Sequence, residues 1–229
     1  VIRGWLIACL VVWSSAAAAV GLPAGYVLDA SVALDPGYSG IAGRVELLRD
    51  AEAEPRKPVR LRVVEAGGAV LDEQVFEPAM AALEAVDLYG TGPVTYLLRL
   101  DYGAGRGAYW GLTSLLLEVR RGRLQQLSAI NSAGANAGGD GAAEPMALMS
   151  NLRSGWVLIA DGAGKAILSA RSRPHLEDPL VREGLSGDSV ILFRTYRFHD
   201  GRWWFSERHM LGDWEDGGED SWPDRRLFP

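Results

Sequence analysis

The sequence has a single cysteine, Cys9, so no intramolecular disulfide can form. It has only three histidines, His175, His199 and His209, and none has the H-x-H or H-x3-H spacing of a zinc site. Serine hydrolysis needs a serine activated by a histidine and a carboxylate. The nearest motif, Gly37-Tyr38-Ser39-Gly40-Ile41, fails to complete G-x-S-x-G. The glycine run Gly103 to Gly111 lacks the third glycine of G-x-G-x-x-G, because Ala108 stands there and no helix-forming run follows. Gly162-Ala163-Gly164-Lys165 lacks both the first glycine and the Ser or Thr of a phosphate loop. A strict repeat of the kind that marks a propeller is also missing. The formal net charge of −6 argues against nucleic acid and anionic membranes as partners.

What is present begins with a leader. Arg3 is a short positive region, Leu6 to Trp13 an apolar core too short to span a bilayer, and Ser14 to Ala19 a small-residue cleavage zone. This pattern predicts a secretory signal peptide over 1–19 and a periplasmic or secreted protein. Leu6-Ile7-Ala8-Cys9 also matches a lipoprotein box, the alternative route to the envelope, although the apolar run continues past Cys9. Residues 20–229 are expected to form one β-rich domain, with a sub-boundary, if there is one, in the glycine-rich stretch 131–144.

The stretch Val190 to Met210 organises the remainder. Asp200-Gly201 supplies the positive φ angles of a type I′ turn between two runs rich in β-branched and aromatic residues. The resulting register sets Phe198 opposite Trp203, Tyr196 opposite Phe205, Arg194 opposite Glu207 and Leu192 opposite His209. The other face pairs Arg197 with Trp204, Thr195 with Ser206 and Phe193 with Arg208. Each such pair contributes roughly 0.2–1 kcal/mol, and a one-residue slip inverts both faces.

Strands are also expected over 26–34, 41–49, 59–65, 70–76, 95–101, 112–119, 124–130, 156–160 and 166–170. Gly67-Gly68 reads as a hairpin with Arg62 opposite Glu73 and Val64 opposite Leu71. Arg121-Gly122 and Asp161 to Gly164 read as further hairpin turns. Asp50 to Pro58 reads as a loop and Arg171 to Ser189 as a long polar connection. Pro78 to Ala85 is the one helix-forming run, either two turns of helix or an ordered connection. The fold class is therefore all-β with at most one short helix, arranged as an antiparallel meander, sandwich or incomplete propeller.

Asp87-Leu88-Tyr89-Gly90-Thr91-Gly92 resembles the aspartate-glycine loop of integrin-type FG-GAP repeats. Those loops hold Ca²⁺ through closely spaced carboxylates. Here Tyr89 and Thr91 replace two acidic residues, so Asp87 is the one Ca²⁺ candidate and a metal-free turn is the alternative. More broadly, the chain resembles a group of uncharacterised exported proteins of Gram-negative bacteria. The resemblance rests on Val86 to Gly92, Asp101 to Gly105, Tyr109-Trp110-Gly111, Glu118 to Leu124, Arg197 to Arg208, Trp214 and Phe228-Pro229. It implies a periplasmic β-rich protein and supplies no activity. A looser similarity is to periplasmic lysozyme inhibitors.

Three functional readings compete, with no cofactor in any: a binding or inhibitor module, a carbohydrate-active enzyme, and a purely structural envelope component, which needs neither exposed aromatics nor a cleft. Tyr109, Trp110, Trp204 and Trp214 form a candidate surface patch for a protein or glycan of the cell envelope, since exposed tryptophan marks binding sites. This predicts a non-enzymatic binding protein. A carbohydrate-active hydrolase instead needs two carboxylates about 5–9 Å apart across a cleft. Its candidates are Asp101 and the tail residues Asp213, Glu215, Asp216, Glu219 and Asp220, with Trp214 and Trp222 for sugar stacking. The alternative for that tail is an acidic segment whose tryptophans fold back onto the core.

Overall fold

The computed structural model describes residues 21–52, 57–77, 80–90, 92–102, 111–133, 142–162, 164–174, 189–215 and 222–229. Among the described residues, fifteen strands form three sheets. The first sheet is an antiparallel meander of β1 (Tyr26–Ala33), β2 (Gly43–Asp50), β3 (Val59–Glu65) and β4 (Val70–Phe76). The second contains β5 (Met80–Val86), β6 (Thr95–Asp101), β7 (Leu112–Arg120), β8 (Arg123–Gln126) and β11 (Ala147–Ser150). Its order is β11-β7-β6-β5, with β8 paired to the far end of β7. The third contains β9 (Ser128–Asn131), β10 (Ala143–Pro145), β12 (Ser154–Asp161), β13 (Gly164–Pro174), β14 (Ser189–His199) and β15 (Arg202–Leu211), in the order β10-β9-β15-β14-β13-β12. The β15–β9 pairing is parallel, and all other strand pairs are antiparallel. Helical structure among the described residues is confined to short pieces: the single turn Pro36–Ser39, Ser132–Ala133, and a 3-10 turn at Arg225–Leu227. None of the described helices is long and apolar enough to cross a membrane.

The second sheet is the middle layer. Adjacent side chains on a strand point to opposite faces. On β6, Tyr96, Leu98 and Leu100 join Val45, Leu47, Leu61 and Val63 of the first sheet in one core. Leu97, between them, faces Ile167, Tyr196, Trp203 and Phe205 of the third sheet in another. β7 divides the same way, with Leu117 and Val119 in the first core and Leu116 in the second. Consecutive leucines in both strands are thus required where the centre of the sheet is buried on both faces. Each such side chain contributes about 1.5–3 kcal/mol. A third, smaller core sits on the outer face of the third sheet. There Phe193 and Ile191 meet Trp214, Trp222 and Phe228 of the C-terminal segment.

The expected β14–β15 register is the observed one at every pair. Asp200 and Gly201 take φ of 50° and 74°, the left-handed values that a type I′ turn demands. Arg121 and Gly122 do the same between β7 and β8, at 52° and 76°.

Elsewhere the structure differs from expectation. The helix-forming run is strand β5, because pairing with β6 along its whole length overrides the helical preference of its alanines. Residues 78–79 lie outside the described set. Val64 pairs with Val70, not Leu71, because a bulge shifts the register between Val63 and Val64. Arg62 does stand opposite Glu73, but its guanidinium bonds Glu46 of β2 at 2.6 Å, and Glu73 takes Arg60 at 2.6 Å. The run 124–130 is two strands, because the chain leaves the second sheet at Leu127 and enters the third. It returns at Met146, and Met146 N–H donates to the Leu127 carbonyl at 2.7 Å where the two crossings meet. The connection expected from Arg171 begins later, since β13 runs to Pro174; residues 175–188 are outside the described set. On either side of the glycine-rich stretch, β9 and β10 pair with each other.

Leu98 is fully buried where the first core is thickest. Leu98→Ala is expected to cost about 2–5 kcal/mol, read as a lower urea midpoint at unchanged slope.

Candidate functional site

Where the chain changes sheets, a groove of about 370 Å³ opens between the tip of the β14–β15 hairpin and the β8–β9 crossing. Its lining includes Tyr89, Glu118, Gln125, Ser128, Phe198 and Trp203. The base is a hydrogen-bonded chain. Trp203 Nε1 donates to Tyr89 Oη at 3.0 Å, and Tyr89 Oη donates to Glu118 Oε1. Glu118 Oε2 accepts from Arg120 Nε at 3.1 Å and Nη2 at 2.9 Å. Glu118 is only 2% exposed, and these donors satisfy both of its buried oxygens. Burial, and then the bond to Glu118, push the Tyr89 phenol well above its ordinary value of 10.0.

The loop resembling an FG-GAP turn places Tyr89. Asp87 Oδ1 accepts from the backbone N–H groups of Tyr89 at 3.1 Å and Gly90 at 2.7 Å, which closes the turn. Leu88 is buried in the second core, and its carbonyl accepts from Lys165 N–H at 2.8 Å. Gly164 permits that approach, since a Cβ there would lie 2.8 Å from the Leu88 carbonyl oxygen. Asp87 thus orders a turn, and among the described residues no group of three or more His, Cys, Asp or Glu could hold a metal ion. Tyr89 in turn packs edge-on against Phe198, with ring centroids 4.6 Å apart. Phe198 remains 42% exposed and Trp203 only 3%.

The aromatic patch expected from sequence is not assembled among the described residues. Tyr109 and Trp110 lie outside them. Trp204 is half-buried on the outer face of the third sheet and donates Nε1–H to the His199 carbonyl at 3.2 Å. Trp214 is buried beneath the tail, edge-on to Trp222, which stacks on Phe228. It belongs to the small third core, as the fold-back alternative for the tail expected, and not to an exposed patch with Trp204.

Asp213 and Glu215 both engage Arg153, Glu215 at 2.9 Å. Asp213 also accepts from Ser172 Oγ at 2.8 Å and Trp214 N–H at 3.1 Å. These contacts pin the start of the tail, and neither carboxylate lines the groove. Asp216, Glu219 and Asp220 lie outside the described residues. A second groove, of about 590 Å³, holds Trp156 with Glu84 and Arg99, but those charges pair with each other at 2.7 Å.

The missed site residues left one signal in the sequence. Phe198 and Trp203 face each other in the expected register, and that pair forms the aromatic wall of the groove.

No protein-family model, no curated protein and no solved structure matches the chain. The fold and the groove therefore define the class directly: a three-layered all-β protein with an open aromatic and polar groove at the seam of two sheets.

Two titrations test the geometry. The Tyr89 pKa is raised in the fold, so its contribution to stability is intact below pH 10.0 and declines as pH rises through the folded value. Tyr89→Phe should remove a phenol that titrates above the ordinary range from the ultraviolet titration and flatten this alkaline decline. The hydrogen bond from Arg153 and that from Ser172 hold Asp213 below its ordinary 3.8. Its contribution is therefore present above 3.8 and lost as pH falls through the lower folded value. Amide protection in the C-terminal segment, taken relative to the intrinsic exchange rate at each pH, should fall on acidification, and Asp213→Asn should show the low protection already at neutral pH.

Proposed function

We propose that this is a non-enzymatic binding protein of the cell envelope, exported by its leader, and that the groove above Tyr89, Glu118 and Trp203 is its recognition element. One observation carries this reading: a satisfied polar chain, rooted in a buried carboxylate, fixes an aromatic wall beside exposed Gln125, Gln126 and Ser128. Binding then incurs little ordering cost on the protein side, which is the physical basis of affinity in a shallow site. The partially exposed face of Phe198 offers apolar contact, and the amides and hydroxyl offer direction. The reading moves the aromatic patch from Trp204 and Trp214 to Phe198 and Trp203. A hydrolase reading finds less support, because the described tail carboxylates are held by Arg153 away from the groove.

The test is retention of envelope extract on the immobilised protein. Phe198→Ala and Gln125→Ala should each weaken retention by about 1 kcal/mol or more, roughly fivefold, with an unchanged circular dichroism spectrum. Trp204→Ala should retain as the wild type does. Undiminished retention by both groove variants would remove the reading. Hydrolysis of peptidoglycan by the purified protein, abolished by changing an acidic residue, would replace it with an enzyme.

A further inference from the structure

The protein is acidic overall, yet the mouth of the groove is not. Arg120 and Arg202 line it, and both are exposed. Arg123 stands directly opposite Arg120 across the β7–β8 pair, so the two share a face. Arg121, in the turn, lines an adjoining hollow of about 370 Å³ with Arg120 and Tyr38. Ion pairs account for most other arginines: Arg60 with Glu73, Arg99 with Glu84, Arg194 with Glu207, Arg226 with Asp224. Among the described residues, Arg121, Arg123 and Arg202 have no carboxylate within ion-pair distance. The acidic groups close in sequence or space are already engaged. Glu118 is buried under Tyr89 and Arg120, Asp72 accepts from the Leu124 N–H at 2.8 Å, and the exposed Asp200 lies 3.1 Å from His199 Nε2, a pair charged only when the imidazole is protonated.

Like charges gathered at one site raise the free energy of the unliganded protein, and an anion relieves it. Guanidinium groups present paired donors that match a carboxylate in two hydrogen bonds. Beside them lie two glutamine amides, the Ser128 hydroxyl and one exposed aromatic edge. That mixture suits a ligand with hydroxyl groups, an apolar ring face and a carboxylate in one repeating unit.

We propose that the groove and its arginines bind an acidic glycan, a sugar chain carrying carboxylate groups. The inference rests on the binding role given to the groove and adds the ligand class. A sugar ring lies along Phe198 with its hydroxyls on Gln125, Gln126 and Ser128, and its carboxylates meet Arg120, Arg202 and Arg123.

The test is calorimetric titration of the purified protein with oligogalacturonate and with glycan strands of peptidoglycan. Methyl-esterified oligogalacturonate serves as the uncharged control, and poly-glutamate as an acidic peptide of equal charge. Expected is binding of at least one of the two acidic glycans, weakened roughly tenfold by Arg202→Ala or Arg123→Ala and by esterification of the ligand. Phe198→Ala should weaken it without altering its salt dependence. Equal binding of the esterified sugar, still lost in Phe198→Ala, would overturn the acidic ligand and leave the groove standing. Poly-glutamate binding as tightly as the sugars would assign the patch to an acidic protein segment instead. Absence of binding to either acidic glycan would overturn the proposal outright.

Discussion

Strands β6 and β7 carry apolar side chains on both faces, and water is kept from both over Tyr96–Leu98 and Leu116–Leu117. Tyr96, Leu97, Leu98 and Leu100 are all at most 2% exposed, although neighbours in that series point in opposite directions. A strand of this composition is stable only between two layers, because exposing either face would forfeit several kilocalories per mole. The first and third sheets supply those layers. With no disulfide to tie the layers together, this double burial holds the molecule. It also fixes the seam: the chain crosses from the middle sheet to the third at Leu127 and returns at Met146, and the groove opens beside that crossing.

The groove inherits its rigidity from the same packing. Tyr89 hangs from a turn whose Leu88 is sunk in the second core, and Trp203 projects from the inner face of the hairpin into that core. Glu118 follows Leu116 on the face of β7 that meets the third sheet. Each of the three polar groups is thus presented by an element that the core already positions, and their hydrogen bonds satisfy groups that burial would otherwise penalise. What reaches solvent is the remainder: one ring, two amides, a hydroxyl and a cluster of arginines.

Much of the architecture was legible because its determinants are local. Asp200-Gly201 defines the turn, and the alternation on either side defines the register, so every pair from Phe198–Trp203 to Leu192–His209 could be written from sequence. Local signals failed where distant pairing decided. The alanines of β5 favour helix until β6 lies beside them. Nothing in Leu124 to Ile130 shows that the chain changes sheets at Leu127. The bulge that leaves Leu71 unpaired is invisible in a hairpin with two glycines at its tip. The site itself joins Tyr89, Glu118 and Trp203 across long sequence separations, and no spacing rule connects them. Tyr89 read as a residue lost from a metal loop, whereas it is what the turn delivers to the groove. Trp214 read two ways, as part of an exposed aromatic patch or as a ring folded back from an acidic tail onto the core. Its ring completes a small core that only the folded third sheet provides.

The account stands on the centre of a middle sheet, Tyr96–Leu98 and Leu116–Leu117, that is buried on both sides. Native-state hydrogen exchange along β6 and β7 measures this most directly. Their hydrogen-bonded amides should exchange only through global unfolding, tracking the denaturant dependence of the whole molecule, while β1, β4 and β10 at the sheet edges exchange by local opening. Amides of β6 exchanging as fast as those of β1, with no dependence on global stability, would contradict it.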